Sequence, residues 1–391
     1  MNSILIEGEN LFDGNNLVKD EPAVVMVREG YIEAVGEEAQ AKAADASKTI
    51  QCPGQTLMPG MVDCHNHLSL DPRLPDYLLR MLDPVPELTL KAVETMDMDL
   101  KSGVTTSRCL GDKEFLDVHC KNAQAEGRLL GPRLIVATRG IRALHGHGFV
   151  GNPYCGVNNI RQAVRENLYA GADLIKIYLT GSLMGPKGLP CYFSEDEVRI
   201  LVDEAHRASV PVATHCIGGP AVNLAIKCGI DVIEHGYFLN FEDLDLISKN
   251  ERWLVLTPSL FFTDDRLDTL HNNLKKPHID QRPKVAEAMS AAVKGGVKYA
   301  IGTDGMHGRL ADEVEYVVSF GASPADALAG VTSRAAELCG MADLIGTVEK
   351  GKRADLIGVV GNPLDKITDL KHVQTIIQNG APIKIDKSMS C

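Results

Sequence analysis

Six residues carry a donor set suited to two metal ions: His65 and His67 in the run His65-Asn66-His67, then Lys176, His215, His235 and Asp304. Lys176 lies in the run 173–179, where strand alternation points its side chain into a barrel. A lysine buried at a barrel mouth loses hydration as a cation, so its pKa falls and its free amine can capture carbon dioxide as a carbamate. The carbamate offers two anionic oxygens and can bridge two divalent cations, with four imidazoles and one carboxylate completing the coordination. Cations so paired generate hydroxide at neutral pH and polarise a carbonyl, which is the chemistry of hydrolysis.

Each residue has a plainer reading. His65 and His67 share a strand face with Asp63, while Cys64 and Asn66 point the other way, so the two rings converge as a chelate instead of merely capping the strand. His215 or His235 alone reads as a hydrogen-bonded core histidine, and Asp304 alone as a helix N-cap. Their joint position at strand ends decides the matter, because barrel enzymes place catalytic groups there. A Schiff-base lysine at 176 needs no such cluster of histidines. A ring deaminase needs a glutamate close after the fifth-strand histidine, whereas Cys-Ile-Gly-Gly follows His215.

The elements that must position these groups are repeated βα units. Strands are expected over 61–67, 104–110, 134–140, 174–180, 210–216, 231–236, 253–259 and 299–304, which suits a closed (β/α)8 TIM-type barrel in the α/β class. Ser194 and Glu197 make a capping box opening a helix over 198–208, and Ser323-Pro324 with Asp326 opens one ending near Gly340. Long loops over 69–88, 141–159, 181–193 and 261–282 fall at the carboxyl end of the barrel, where loops of this length are lids or specificity elements. Both chain ends carry short alternating strands around turn signals such as Asp13-Gly14-Asn15. Neither end has residues for its own core, so the expectation is one small composite β-sandwich from 1–57 and 343–391 flanking a barrel over 58–342.

Composition narrows the class without naming a substrate. A 45% hydrophobic and 24% charged chain is that of a globular enzyme, and no apolar run reaches membrane-spanning length. The N-terminus lacks a basic and then apolar leader, which predicts a cytoplasmic protein. The formal charge of -12 argues against a nucleic-acid surface. Ten cysteines without paired spacing read as small buried hydrophobes. The expected partners are a small-molecule substrate and further copies of the same chain.

The chain resembles the amidohydrolase superfamily nearly end to end. The resemblance rests on Met58-Pro-Gly-Met-Val-Asp-Cys-His-Asn-His67, the strand-four lysine, the two later histidines, Gly302-Thr-Asp-Gly305 and the closing run from Gly346 to Leu356. Within it, Gly171-Ala-Asp-Leu-Ile-Lys-Ile177, Thr180-Gly181 and Glu234-His-Gly-Tyr237 resemble the prolidase-like group of metal-dependent dipeptidases, carboxypeptidases and ochratoxin-type amidases. The resemblance implies two divalent ions, with zinc the default for imidazole-rich sites. It implies that His65, His67, Lys176 and Asp304 hold one ion while Lys176, His215 and His235 hold the other. It also implies that Tyr237 and a histidine of His145-Gly-His-Gly148, either His147 or His145, hold substrate. That group continues strand two with arginine and aspartate; here Arg108-Cys109 stands, so the salt bridge expected there is predicted to be absent.

The reading is a binuclear hydrolase cleaving a peptide-like amide in a dipeptide or N-acyl amino acid, with Asp304 moving the proton from hydroxide to the leaving amine. The alternative is a cyclic amide hydrolase of the hydantoinase or imidazolone type, which shares the metal motifs. A metal-free scaffold on the same fold is the remaining class, and retention of all six ligand types argues against it.

Overall fold

The computed structural model describes residues 3–384; residues 1–2 and 385–391, which open and close the expected end segments, lie outside the described residues. The chain forms two compact units, one of 64–97 and 107–307, the other of 1–63, 98–106 and 308–391.

The first unit holds the site. Its strands are β1 (Met61–Asn66), β2 (Val104–Cys109), β3 (Arg133–Val136), β4 (Ile175–Tyr178), β5 (Val212–Cys216), β6 (Val232–His235), β7 (Trp253–Leu256) and β8 (Tyr299–Ile301), the first two beginning in the other unit. Strands β4 to β8 pair in parallel order. The ring is completed by backbone bonds from Leu110 N–H to Asn66 O, Ala137 N–H to Cys109 O, Asp173 N–H to Val136 O and Asp304 N–H to His65 O, so the expected eight-stranded barrel is present. β8 approaches β1 so closely that a Cβ on Gly302 would lie 2.4 Å from the His65 nitrogen. Strands β3, β6 and β8 stop short of the expected segments where the backbone turns left-handed at Thr138, His235 and Asp304, with φ of 62°, 76° and 51°. Outside β2 and β3, Leu68, Leu88, Met96, Leu116 and Val136 form an apolar core.

Ser194 and Glu197 do open a helix, Glu195–Arg207: the Glu197 carboxylate accepts from the Ser194 amide and hydroxyl, both at 2.9 Å. Three expected loops need correction. Residues 69–88 hold the helix Tyr77–Arg80 and the start of Val85–Lys101, and 141–159 hold the short strands Ile141–Arg142 and Asn152–Pro153 and the start of Val157–Ala170. Residues 261–282 are not loop throughout, for a helix runs Asn272–Lys294 through Pro277 and Pro283. Proline's missing N–H and ring clash argue against helix interiors, and here they hid one.

The second unit contains a β-sandwich together with the helices that follow Gly308. One sheet orders Tyr31–Val35, Val24–Arg28, Ser3–Glu7 and Lys48–Gln51; the other contains Val373–Gln378, Leu356–Val360, Gln55–Pro59 and Asn10–Phe12. The two ends of the chain meet in it, as Leu356–Val360 pairs antiparallel with Gln55–Pro59. Ile4, Ile6 and Val25 of one sheet share a buried core with Leu57, Leu356 and Ile377 of the other. The helix expected from Ser323 to near Gly340 is two helices, Pro324–Ala329 and Ser333–Leu338, because Thr332 leaves helical geometry at φ -129° and ψ -98°.

Candidate metal centre and its cavity

Strand register sets the inward row. Tyr178 pairs with His215, His215 with Glu234, Glu234 with Val255 and Val255 with Ala300, and paired residues of parallel strands face the same side. Lys176 pairs with Ala213, one layer below. Glu234 therefore faces in, and alternation alone would send His235 out. The left-handed backbone at His235 brings that ring to the mouth as well, a strained conformation of the sort that collects at functional sites.

All six expected ligand residues come together. The ligand atoms of His65, His235 and Asp304 lie within 4.8 Å of one another. Both His65 Nε2 and His67 Nε2 stand 3.3 Å from Asp304 Oδ1. The His235 ring is 4.6 Å from that of His65 and 4.5 Å from that of His215. Lys176 is fully buried, and its Nζ has no hydrogen-bond partner among the described residues.

Every ring is oriented through its remaining nitrogen. His65 Nδ1 meets the Glu234 carboxylate at 2.7 Å, His67 Nδ1 donates to Gly111 O at 2.6 Å, His235 Nδ1 meets Thr257 Oγ1 at 2.8 Å, and His215 Nε2 donates to Gly181 O at 3.0 Å. Outer partners of this sort fix which nitrogen is left to bind. The salt bridge expected to be missing at Arg108 is present, because strand register brings Glu234 to it: Arg108 Nη1 bonds Glu234 at 2.9 Å and Cys64 O at 2.8 Å.

The electrostatics follow from burial. Desolvation lowers the Lys176 ammonium to about 8 against the opposing pull of Glu234 and Asp304. Burial would raise the Glu234 carboxyl, yet Arg108 and His65 outweigh it and hold it at about 2. Burial likewise opposes ionisation of Asp304, but His65 and His67 keep it well below the usual carboxylate range. His215 and His235 are driven well below 6.5, first by burial and then by neighbouring histidines, so both present neutral imidazole.

The cluster floors a cavity of about 280 Å³. Each of the four expected loops supplies wall residues, among them Tyr77 and Met81, His147 and Phe149, Ser182 and Leu183, and Phe261 and Arg266. His147 lines the cavity with its ring 4.5 Å from His215; burial, and then the Lys176 and His67 charges against Asp304, lower its pKa to about 4. His145 is exposed and packs edge-on against Tyr192 at 5.4 Å. Gly148 must be glycine here, since its φ is 96° and a Cβ would meet the Tyr178 ring at 2.5 Å. Tyr237 lines the cavity too, its hydroxyl donating to Thr257 O at 3.0 Å and lying 2.7 Å from Thr257 Oγ1.

The sequence reading missed Glu234, Thr257 and Arg266. Glu234 had a signal, its place beside His235, but only the register turns it inward. Thr257 and Arg266 had none.

The model of the Amidohydrolase family matches residues 56–383. The chain belongs to this family. It is a hydrolase, and among its amidohydrolase relatives are ochratoxinase of Aspergillus niger, 27% identical over 88% of this chain and 78% of the relative, and imidazolonepropionase of Maricaulis maris, 26% identical over 88% of each. The crystal structure of a Xaa-Pro dipeptidase with bound methionine in the active site superposes with a TM-score of 0.86 at 26% identity, over 98% of this chain and 100% of that one. Among the described residues no helix is long and apolar enough to cross a membrane.

Proposed function

We propose that this amidohydrolase cleaves a peptide-like amide bond in a dipeptide or N-acyl amino acid and does so with two divalent metal ions, zinc by default. The observation that carries the reading is the convergence of four imidazoles and one ionised carboxylate, together with a buried Lys176 amine that feels the Asp304 charge and has no hydrogen-bond partner among the described residues. A buried amine without a partner is costly, and carboxylation of Lys176 would turn it into an anionic two-oxygen ligand. This donor set fits the ions: His65, His67, Lys176 and Asp304 would hold one, and Lys176, His215 and His235 the other. Bound there, such ions supply Lewis-acid polarisation of the scissile carbonyl and acidify water.

The chain's own residues do the rest. Asp304, held ionised between His65 and His67, accepts a proton from the attacking water and delivers it to the leaving nitrogen. His147, neutral in its setting, and Tyr237 line the cavity beside the histidines and orient the substrate. Glu234 keeps His65 in one tautomer.

The Xaa-Pro dipeptidase and the ochratoxinase favour the peptide-like reading, and the imidazolonepropionase keeps a cyclic amide as the second. A screen of dipeptides and N-acyl amino acids beside hydantoins, dihydropyrimidines and imidazolones, with metal content measured on the same sample, separates them. Turnover of acyclic substrates by protein holding two ions is expected; turnover confined to the cyclic compounds would replace the reading with its rival.

A further inference from the structure

Besides Asp304, the cavity wall carries one other side chain of fixed charge among the described residues, Arg266, from the short 3-10 helix Asp265–Thr269. Arg266 is only 7% exposed. Its Nη1 donates to Leu260 O at 2.7 Å and lies 3.0 Å from His278 Nε2, while Nη2 donates to the Tyr77 hydroxyl at 3.3 Å. Its Nε has no hydrogen-bond partner, and no carboxylate pairs with it, among the described residues. His278 adds no charge, because burial and the guanidinium beside it lower its pKa to about 4. The nearby wall is apolar, with Leu260, Phe261, Leu270 and Leu274.

A buried cation without a counter-ion is costly, and its own neighbours leave part of the donor fork unused. That fork matches a planar carboxylate in two parallel bonds, which an ammonium cannot do. The group is also connected to the reactive end. The rings of His235, Tyr237, Phe261 and His278 follow one another at centroid separations of 5.3, 4.6 and 4.2 Å and form a continuous wall from the strand-end histidines to the guanidinium.

We infer that Arg266 is an anion-binding subsite of this cavity and selects amides that carry a free carboxylate on an apolar body, with the carboxylate at the Arg266 and Tyr77 corner and the amide at the strand-end histidines. The inference rests on the amide-hydrolase reading above and adds a specificity residue to it.

Matched substrate pairs test it: N-acetylphenylalanine against its primary amide, with the charge on the amine side, and succinyl anilide against butyryl anilide, with the charge on the acyl side. The wild type is expected to prefer the acid in at least one pair. Arg266→Gln, which keeps a donor for Leu260 and Tyr77, should cut that preference about 30-fold or more, chiefly through KM. Arg266→Lys should restore part of it, and metal content should match the wild type in both variants. An unchanged preference in Arg266→Gln, or an equal fall on the acid and neutral members, would overturn the subsite. If the wild type hydrolyses neither pair, the peptide-like reading fails and the subsite is judged by calorimetry alone. Phenylacetate should then bind the wild type and not Arg266→Gln, with phenylacetamide binding neither better; equal binding of phenylacetate to both proteins would overturn it.

Discussion

At the strand ends of the cavity each histidine has one nitrogen committed to a fixed neighbour: Glu234 for His65, Gly111 O for His67, Thr257 for His235, Gly181 O for His215. On the loop-built wall the contacts are of another kind. Leu78 is 38% and Phe149 50% exposed, and the polar members, Arg266, His278 and Tyr77, bond mainly to one another and to the Leu260 carbonyl. One region is specified by the barrel ladder and has little freedom to change. The other is specified by loop packing and can vary without disturbing the donors. On the proposed reading the contrast separates reactivity from selectivity within one cavity: substitutions at strand ends should strike metal and turnover, and those on the outer wall should strike KM and substrate preference.

The sharpest way to break that comparison is Lys176→Ala. It removes the inferred bridging ligand, so metal and rate should fall together, by more than the roughly 10–100-fold typical of losing an outer partner. Formate or acetate in solution should restore part of the rate by occupying the vacated position. Full metal content and full activity in the variant, or a free amine at Lys176 in fully active wild type by intact-mass measurement, would refute the carbamate.

Asp304→Asn comes next. The amide keeps an oxygen donor and cannot move a proton, so metal content should largely persist while kcat falls about 10²–10⁴-fold. Near-normal turnover across neutral pH would move the proton-transfer role to another group. Glu234→Gln should cost about 10–100-fold in metal affinity or activity by releasing His65, although Glu234 lies outside the donor set. It also removes the ionised partner of the buried Arg108 guanidinium, so thermal stability should drop. Replacing Arg108 by Met in the same protein should recover stability and leave activity low, a split that simple unfolding does not produce.

How much of this was legible follows from what sequence spacing encodes. The His65 and His67 chelate, His215, His235 and Asp304 were readable because they close recognisable apolar runs, and Lys176 because it is a cation inside one; eight such runs prescribe a barrel whose strand ends converge. The Ser194 and Glu197 cap was readable because its bonds span three residues. Glu234 was hidden because its partners, His65 and Arg108, are 169 and 126 positions away and only strand register brings them together. Arg266 was hidden for a related reason: Tyr77, 189 positions off, meets it through loop packing, which has no periodic signature. The helix over Asn272–Lys294 was obscured by its two prolines.

Tyr237 stands on the border between the two regions, and its variant should give the smallest effect. Its hydroxyl bonds Thr257, whose Oγ1 also meets His235 Nδ1, while its ring touches Phe261 of the loop wall at 4.6 Å. Tyr237→Phe deletes one neutral hydroxyl and preserves the ring, a change worth on the order of 1 kcal/mol, or about fivefold. If the residue belongs to the selecting wall, that factor appears as a higher KM with metal content and kcat unchanged. If it acts by steadying His235 through Thr257, metal affinity weakens instead and KM measured at saturating metal stays as it was. Titration of apoprotein with zinc, beside steady-state kinetics on the same preparation, separates the two; the expected outcome is the KM effect, because Thr257 keeps its own contact with His235 when the tyrosine hydroxyl is gone.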